Sequence, residues 1–229
     1  MNILNKNGTL YIVSTPIGNL GDITLRAIET LKSVDYVLCE DTRVSGKLLK
    51  HCGIENRLVS FNDCNEDGKR LEVIVDLMAG KSVALISDAG TPLISDPGYK
   101  LVREAVAKAI KIESIPGPSA VITALTVSGL PPDKFLFLGY LPKKDGKRKE
   151  ILTRTKESVQ KIKATVIIYE SPYRLLKTLT DIKEVFGDIE VVVCRELTKM
   201  HEEVRREKVS QSIDHFSKSV PKGEVAILF

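Results

Sequence analysis

The stretch Ser87–Gly98, SDAGTPLISDPG, follows directly on the apolar run Val83–Ile86 and contains no lysine or arginine. It offers two carboxylates (Asp88, Asp96), three hydroxyls (Ser87, Thr91, Ser95) and backbone around Gly90, Pro92, Pro97 and Gly98. A short buried strand breaking into such a loop places it at the carboxyl end of a sheet, where open α/β sheets bind ligands. A lining without cations suits a neutral or cationic ligand and is not built to neutralise phosphate. The alternative is an ordinary strand-to-helix turn.

Three more loops belong to the same class. Ser14–Gly21 carries Gly18 and Gly21 but lacks the G-x-G-x-x-G spacing, and no Gly-Lys-Ser/Thr follows, so dinucleotide and P-loop fingerprints are not met. Glu40-Asp41-Thr42-Arg43 sets two carboxylates and a guanidinium after a strand; capping of the next helix accounts for one carboxylate, not both. Ser119 and Ala120 open a helix after Pro116-Gly117-Pro118, where unpaired N–H groups can receive a carboxylate or a ring nitrogen. Loops that follow parallel strands share one rim, which brings the first three together.

Leu141–Lys149 concentrates basic side chains at Lys143, Lys144, Lys147, Arg148 and Lys149. A loop of that kind attracts a phosphate backbone with salt-dependent affinity, the alternative being a solvated surface. Arg205, Arg206 and Lys208 form a weaker group that reads as an exposed face.

The elements that must position these residues alternate. Strands are expected at Leu10–Val13, Tyr36–Cys39, Leu58–Phe61, Val83–Ile86 and Ile110–Ile115, with helices of about ten residues between them, which is the pattern of βαβ units and a largely parallel sheet. After Pro116-Gly117-Pro118, helices are expected at Ser119–Val127, Gly146–Lys161, Pro172–Phe186 and Ile213–Ser217. Strands are expected at Phe135–Gly139, Thr165–Tyr169, Glu190–Arg195 and Glu224–Phe229, with Val204–Val209 a short strand or extension. The fold class is therefore α/β, with an N-terminal domain over residues 1–116 and a C-terminal domain over 117–229.

At 229 residues, 43% hydrophobic and 28% charged, the composition is that of a globular protein with room for a real core. No window approaches the length of apolar sequence a membrane span needs, and the N-terminus has no signal-peptide pattern, so a cytoplasmic location is expected. Cys39, Cys52, Cys64 and Cys194 show no metal-ligand spacing and are expected to be reduced core residues; no metal site is expected. A net charge of +4 permits nucleic-acid binding without arguing for it.

Taken in order, STPIGNLGDITLRA, EDTRVSGKLL, SDAGTPLISDPGY, PGPSAVITAL, YESPYRLL and CRELTK resemble the tetrapyrrole-methylase superfamily. Within it they are most similar to the branch that methylates a cytidine ribose at its 2′-oxygen in 16S ribosomal RNA of the small subunit. The resemblance covers nearly the whole chain. It implies two α/β domains, each a sheet flanked by helices, with S-adenosylmethionine bound in a cleft between them, and it suggests a homodimer. By position, the cofactor contacts implied are Ile17, Asp88, Ala89, Gly90, Thr91, Ser119, Ala120, Tyr169, Glu170, Ser171, Leu197 and Glu224. Longer members continue past the position of Phe229 with a helical segment, whose contribution to RNA binding is not expected from these residues. S-adenosylmethionine carries a sulfonium cation and no phosphate, which agrees with the cation-free loop.

A ribose hydroxyl is a poor nucleophile near neutral pH, so a carboxylate that accepts its proton is expected. Glu170, at the end of an apolar strand, ranks slightly ahead of Asp41 and Glu40. Arg43 and Arg174 are candidate clamps for flanking phosphates, with Lys143, Lys144, Lys147 and Arg148 as further RNA contacts. A methylase of a small tetrapyrrole or corrinoid is the rival enzyme, and a non-catalytic RNA-binding ribosome assembly factor the rival of another class.

Overall fold

The computed structural model describes residues 7–219 and 221–229. Its contacts divide the chain into two compact units, Met1–Ser119 and Ala120–Phe229.

The first unit is built on a five-stranded parallel sheet in the order β3-β2-β4-β1-β5. Its strands are β1 (Thr9–Val13), β2 (Tyr36–Cys39), β3 (Leu58–Ser60), β4 (Val83–Leu85) and β5 (Lys111–Ile115). The helices are α1 (Leu25–Ser33), α2 (Thr42–His51), α3 (Glu66–Met78) and α4 (Tyr99–Ala107). Alternation along the strands serves both faces. Leu10, Leu38 and Leu85 pack with Ile74, Leu77 and Leu101 of α3 and α4, while Val13, Val37 and Ala84 pack with Ala27, Leu31 and Leu49 of α1 and α2. The chain steps from β1 to β2 and β3 on one side, then returns to place β4 between β2 and β1. That reversal puts the carboxyl ends of β2, β4 and β1 side by side, the position where such sheets open a crevice. Thr24 caps α1 by accepting from the Ala27 N–H, and Asp41 caps α2 by accepting from the Arg43 N–H.

The second unit carries a mixed five-stranded sheet in the order β6-β7-β10-β8-β9, parallel only between β6 and β7. The strands are β6 (Phe135–Tyr140), β7 (Thr165–Glu170), β8 (Glu190–Arg195), β9 (Glu203–Lys208) and β10 (Val225–Leu228). Helices α6 (Asp145–Ile162), α7 (Leu175–Phe186) and α8 (Val209–Ser217) supply Leu152, Leu179, Ile182 and Phe216 to one core with Val166, Ile168, Val193 and Ile227. Helix α5 (Ala120–Ser128) packs on β8, β9 and β10. Arg206 closes that contact, donating to the Ser128 and Val127 carbonyls at the carboxyl end of α5.

Two expectations need correction. The helix expected from Pro172 begins at Leu175, because Ser171–Arg174 forms a turn closed by the Arg174 N–H on the Ser171 carbonyl (2.9 Å). Arg206 and Lys208 are exposed and Arg205 half-buried, as expected of an exposed face, with Arg205 paired to Glu207 and Arg206 donating to the end of α5. Of the cysteines only Cys39 and Cys194 are buried; Cys52 is half-buried and Cys64 exposed. Among the described residues no helix is long and apolar enough to cross a membrane, and no group of three or more potential ligands converges on a metal position.

Candidate active site

In the first unit the Ser87–Gly98 loop is locked to its neighbours mainly through backbone. Thr15 and Gly90 exchange N–H···O bonds of 2.9 and 3.1 Å, and the Thr15 hydroxyl donates to the Ser87 carbonyl at 3.1 Å. Thr91 bridges the Ser14 hydroxyl (3.1 Å) and the Pro118 carbonyl (3.0 Å), which joins the ends of β1, β4 and β5. Gly90 adopts φ +83°, and a Cβ there would stand 3.2 Å from Ile17 Cγ2, so only glycine leaves this approach to the backbone open. At the far end, buried Glu66 accepts from the Gly98 N–H at 3.2 Å. Between these anchors Leu93 and Ser95 sit at φ +76° and +68°, a strained backbone that persists because the surroundings over-determine it. Composition singles out the loop and the Ser14–Gly21 segment that holds it through Ser14 and Thr15, but Glu66, which holds its far end, carries no local signal.

Gly98 gives a direct check. Its φ is +120°, and a Cβ would lie 2.6 Å from Leu85 Cδ2 in the core. Gly98→Ala therefore combines a left-handed backbone penalty with overpacking and is expected to cost about 2–4 kcal/mol in denaturant unfolding. Unchanged stability would show that the loop relaxes freely.

On the same rim, Glu40, Asp41 and Asp88 gather at the ends of β2 and β4. The Asp41 N–H donates to Asp88 Oδ1 at 3.1 Å. Glu40 is exposed, yet its carboxyl is pushed above the ordinary glutamate range by partial burial and then by the charges of Asp88, Asp63 and Asp41. Asp41 is the opposite case. The Arg43 guanidinium grips it through Nε and Nη2, the Arg43 N–H adds to this, and together they hold the carboxyl at about 2. Such a carboxylate is a weak proton acceptor.

The second unit has a rim of its own. Val225 of β10 stands opposite both Glu170 of β7 and Arg195 of β8. Tyr169–Ser171, the turn around Leu197 and Glu224 are therefore brought together. Leu197 is buried between Glu196 and Thr198, both at positive φ, and Glu196 accepts from the Glu224 N–H at 3.0 Å.

A family model described as Tetrapyrrole (Corrin/Porphyrin) Methylases matches residues 9–212. The chain belongs to the tetrapyrrole methylase family. A relative from Thermotoga maritima, named Ribosomal RNA small subunit methyltransferase I, is 48% identical over 96% of this chain and 97% of its own length. One of the same name from Rickettsia prowazekii is 50% identical over 97% of this chain and 78% of its length. Among solved structures, diphthine synthase superposes with a TM-score of 0.74 at 14% identity, covering 96% of this chain and 89% of that one. Cobalt precorrin-4 methyltransferase, a cobalamin biosynthetic enzyme, gives 0.68 at 19% identity, covering 96% and 94%. At such identities these two speak for the fold alone.

Within this tetrapyrrole methylase three of the expected roles do not survive the geometry. Glu170 is fully enclosed: Oε1 accepts from the Ser171 N–H (2.7 Å), Oε2 from the Thr178 hydroxyl (2.5 Å), and Arg174 pairs with both oxygens. It has no lone pair facing outward to take a substrate proton. Arg174 is turned inward as well, its Nη2 donating to the Leu141 carbonyl at 2.6 Å, so it is not a phosphate clamp. Arg148 is 2% exposed and reaches Asp181 (2.5 Å) and Asp145 (2.8 Å). Lys143, Lys144 and Lys147 remain exposed, and among the described residues no carboxylate pairs with them. Arg43 is exposed too, but its charge is partly neutralised by Asp41.

Proposed function

We propose that this family member transfers a methyl group from S-adenosylmethionine to the 2′-oxygen of a cytidine ribose in 16S ribosomal RNA of the small subunit. The observation that carries this reading is the match, near half identity along nearly its full length, to a relative named for small-subunit ribosomal RNA methylation. A cytoplasmic location and a homodimeric state go with it.

The residues fit the methyl donor. The Ser87–Gly98 loop has no cation to repel a sulfonium, offers the Asp88 carboxylate, and leaves backbone approachable at Gly90. Ile17, Ala89 and Thr91 complete that side, with Ser119 and Ala120 at the helix start. In the second unit Tyr169, Ser171, Leu197 and Glu224 are the proposed contacts, while Glu170 holds Ser171 in place. S-adenosylmethionine supplies an activated methyl group, which leaves sulfur as a bond forms to the ribose oxygen. Glu40 accepts the proton which that oxygen loses, being the exposed carboxylate on the rim whose basicity its neighbours raise. Lys143, Lys144 and Lys147 draw the phosphate backbone. That row favours an RNA polymer over a tetrapyrrole, whose few carboxylates need fewer cations.

Incubation with methyl-labelled S-adenosylmethionine and small subunits lacking the modification tests the reading. Label in the subunit RNA, falling steeply with salt, is expected. Label in a small tetrapyrrole instead, or binding to subunits with no transfer, would replace it with one of the rival readings.

A further inference from the structure

Two of the most exposed aromatic rings in the second unit lie beside the lysine row. Tyr140, the last residue of β6, is 55% exposed, and Tyr173, in the turn before α7, is 86% exposed. Their chain neighbours are directly joined, since Arg174 donates to the carbonyl of Leu141 at 2.6 Å. That bond pins the turn holding Tyr173 to the end of the strand holding Tyr140. The Tyr140 ring is backed by Tyr169 at 5.9 Å, which meets Phe137 edge-on at 4.8 Å, so its position is preset.

The exposed charge around these rings is mostly positive, Asp145 within the row being paired with Arg148. Lys143, Lys144 and Lys147 follow Tyr140 within seven residues, and Lys177 lies one helical turn beyond Tyr173. All four are exposed, and none pairs with a carboxylate among the described residues. The backbone under the row is held from inside, by Arg174 on the Leu141 carbonyl and by Arg148 Nη1 on the Lys143 carbonyl. Fixed aromatic faces next to outward cations match single-stranded nucleic acid, whose bases stack while its phosphates are neutralised. A paired RNA helix keeps its bases stacked on one another and has none to offer.

We propose that Tyr140 and Tyr173 form a stacking platform for unpaired bases of the RNA substrate, beside the phosphate-binding row Lys143–Lys147. This rests on the RNA reading above and adds a requirement for a single-stranded segment in the RNA substrate.

The test uses the full chain and a single-stranded oligoribonucleotide carrying 2-aminopurine, whose fluorescence is quenched on stacking. The unsubstituted protein should bind and quench it, and bind its duplex form much more weakly. Tyr140→Ala and Tyr173→Ala should each weaken binding about 5- to 150-fold, the range of one lost base–aromatic stack. Tyr140→Phe and Tyr173→Phe should stay within about twofold of the unsubstituted protein. The salt slope of log K should not change in the tyrosine variants. In a Lys143→Ala/Lys144→Ala/Lys147→Ala triple variant it should drop by about 2.

Alanine variants that bind as the unsubstituted protein does, phenylalanine variants that lose as much as alanine, or affinity for S-adenosylmethionine falling in step would each overturn the platform while leaving the methyltransferase reading intact. An unsubstituted protein that binds no RNA would overturn both.

Discussion

Glu40→Gln is expected to lower the methyl-transfer rate about 10²- to 10⁴-fold, the contribution of a positioned general base. Affinity for S-adenosylmethionine should stay unchanged, because the substitution keeps the side chain's size and one acceptor oxygen while removing the charge and turning the other oxygen into an NH2 donor. The sign of the pH dependence follows from the site. Burial and the charges of Asp88, Asp63 and Asp41 raise the Glu40 carboxyl above its ordinary value. The active, deprotonated form is therefore lost as pH falls through that raised pKa, and the rate should rise with pH across it. In Glu40→Gln this acid limb should vanish. The Asp41 carboxyl, held at about 2 by Arg43, is ionised throughout the assay range and should contribute no limb of its own; Asp41→Asn should keep the Glu40 limb but move it to lower pH, because it removes one of the charges that raise Glu40. A pH profile unchanged by Glu40→Gln, with near-normal turnover, would remove Glu40 from the chemistry.

Asp181→Ala is expected to destabilise the second unit by about 3–5 kcal/mol, because it strands a buried guanidinium. Asp181 is 5% exposed and Arg148 2%, and they meet at 2.5 Å between α6 and α7. Asp145 stays paired with Nη2 from the surface at 2.8 Å, but Nε, which Asp181 holds, is left inside without its carboxylate. Removing both charges together, as in Arg148→Met/Asp181→Leu, should cost less than Asp181→Ala alone, since no charge is then left unpaired. Denaturant unfolding of Asp181→Ala, of the double variant and of its single changes Arg148→Met and Asp181→Leu decides the matter. A double variant as unstable as the sum of its two single changes would show that the pair is not coupled. In the double variant the lysine row should also loosen, because Arg148 donates to the Lys143 carbonyl and to Asp145 within that row.

Much of this architecture is legible along the chain, for identifiable reasons. Tyr36–Cys39 and Glu190–Arg195 stand out residue for residue, because unbroken apolar runs bounded by turn residues leave no competing period. Helix α1 follows from a start at Asp22 or Thr24 and from the apolar spacing behind it, and the cap is Thr24. The strand order of the first sheet is not legible, since the return that places β4 between β2 and β1 depends on pairing between distant segments. The direction of individual charges is also hidden. Glu170 ends an apolar strand whether its carboxylate faces out or in, and the groups that enclose it, Arg174 and Thr178, lie four and eight residues further on. For Arg148 a signal exists: it shares a helix face with Leu152 and Thr155, at spacings of four and seven, and all three are buried. What could not be read is Asp181, 33 residues away, which makes that burial tolerable. The Ser87–Gly98 loop is marked by its composition, but its strain at Leu93 and Ser95 runs against local preference and exists only in the folded unit.

The most direct measurement is the chemical identity of the methylated nucleoside. Small-subunit RNA labelled by this protein would be digested to nucleosides and analysed by mass spectrometry, with the modified position mapped by nuclease protection. The account predicts a single 2′-O-methylcytidine, absent when Glu40→Gln replaces the unsubstituted protein under the same conditions. A methyl group on a base, or on no RNA nucleoside at all while S-adenosylmethionine is still consumed, would contradict it.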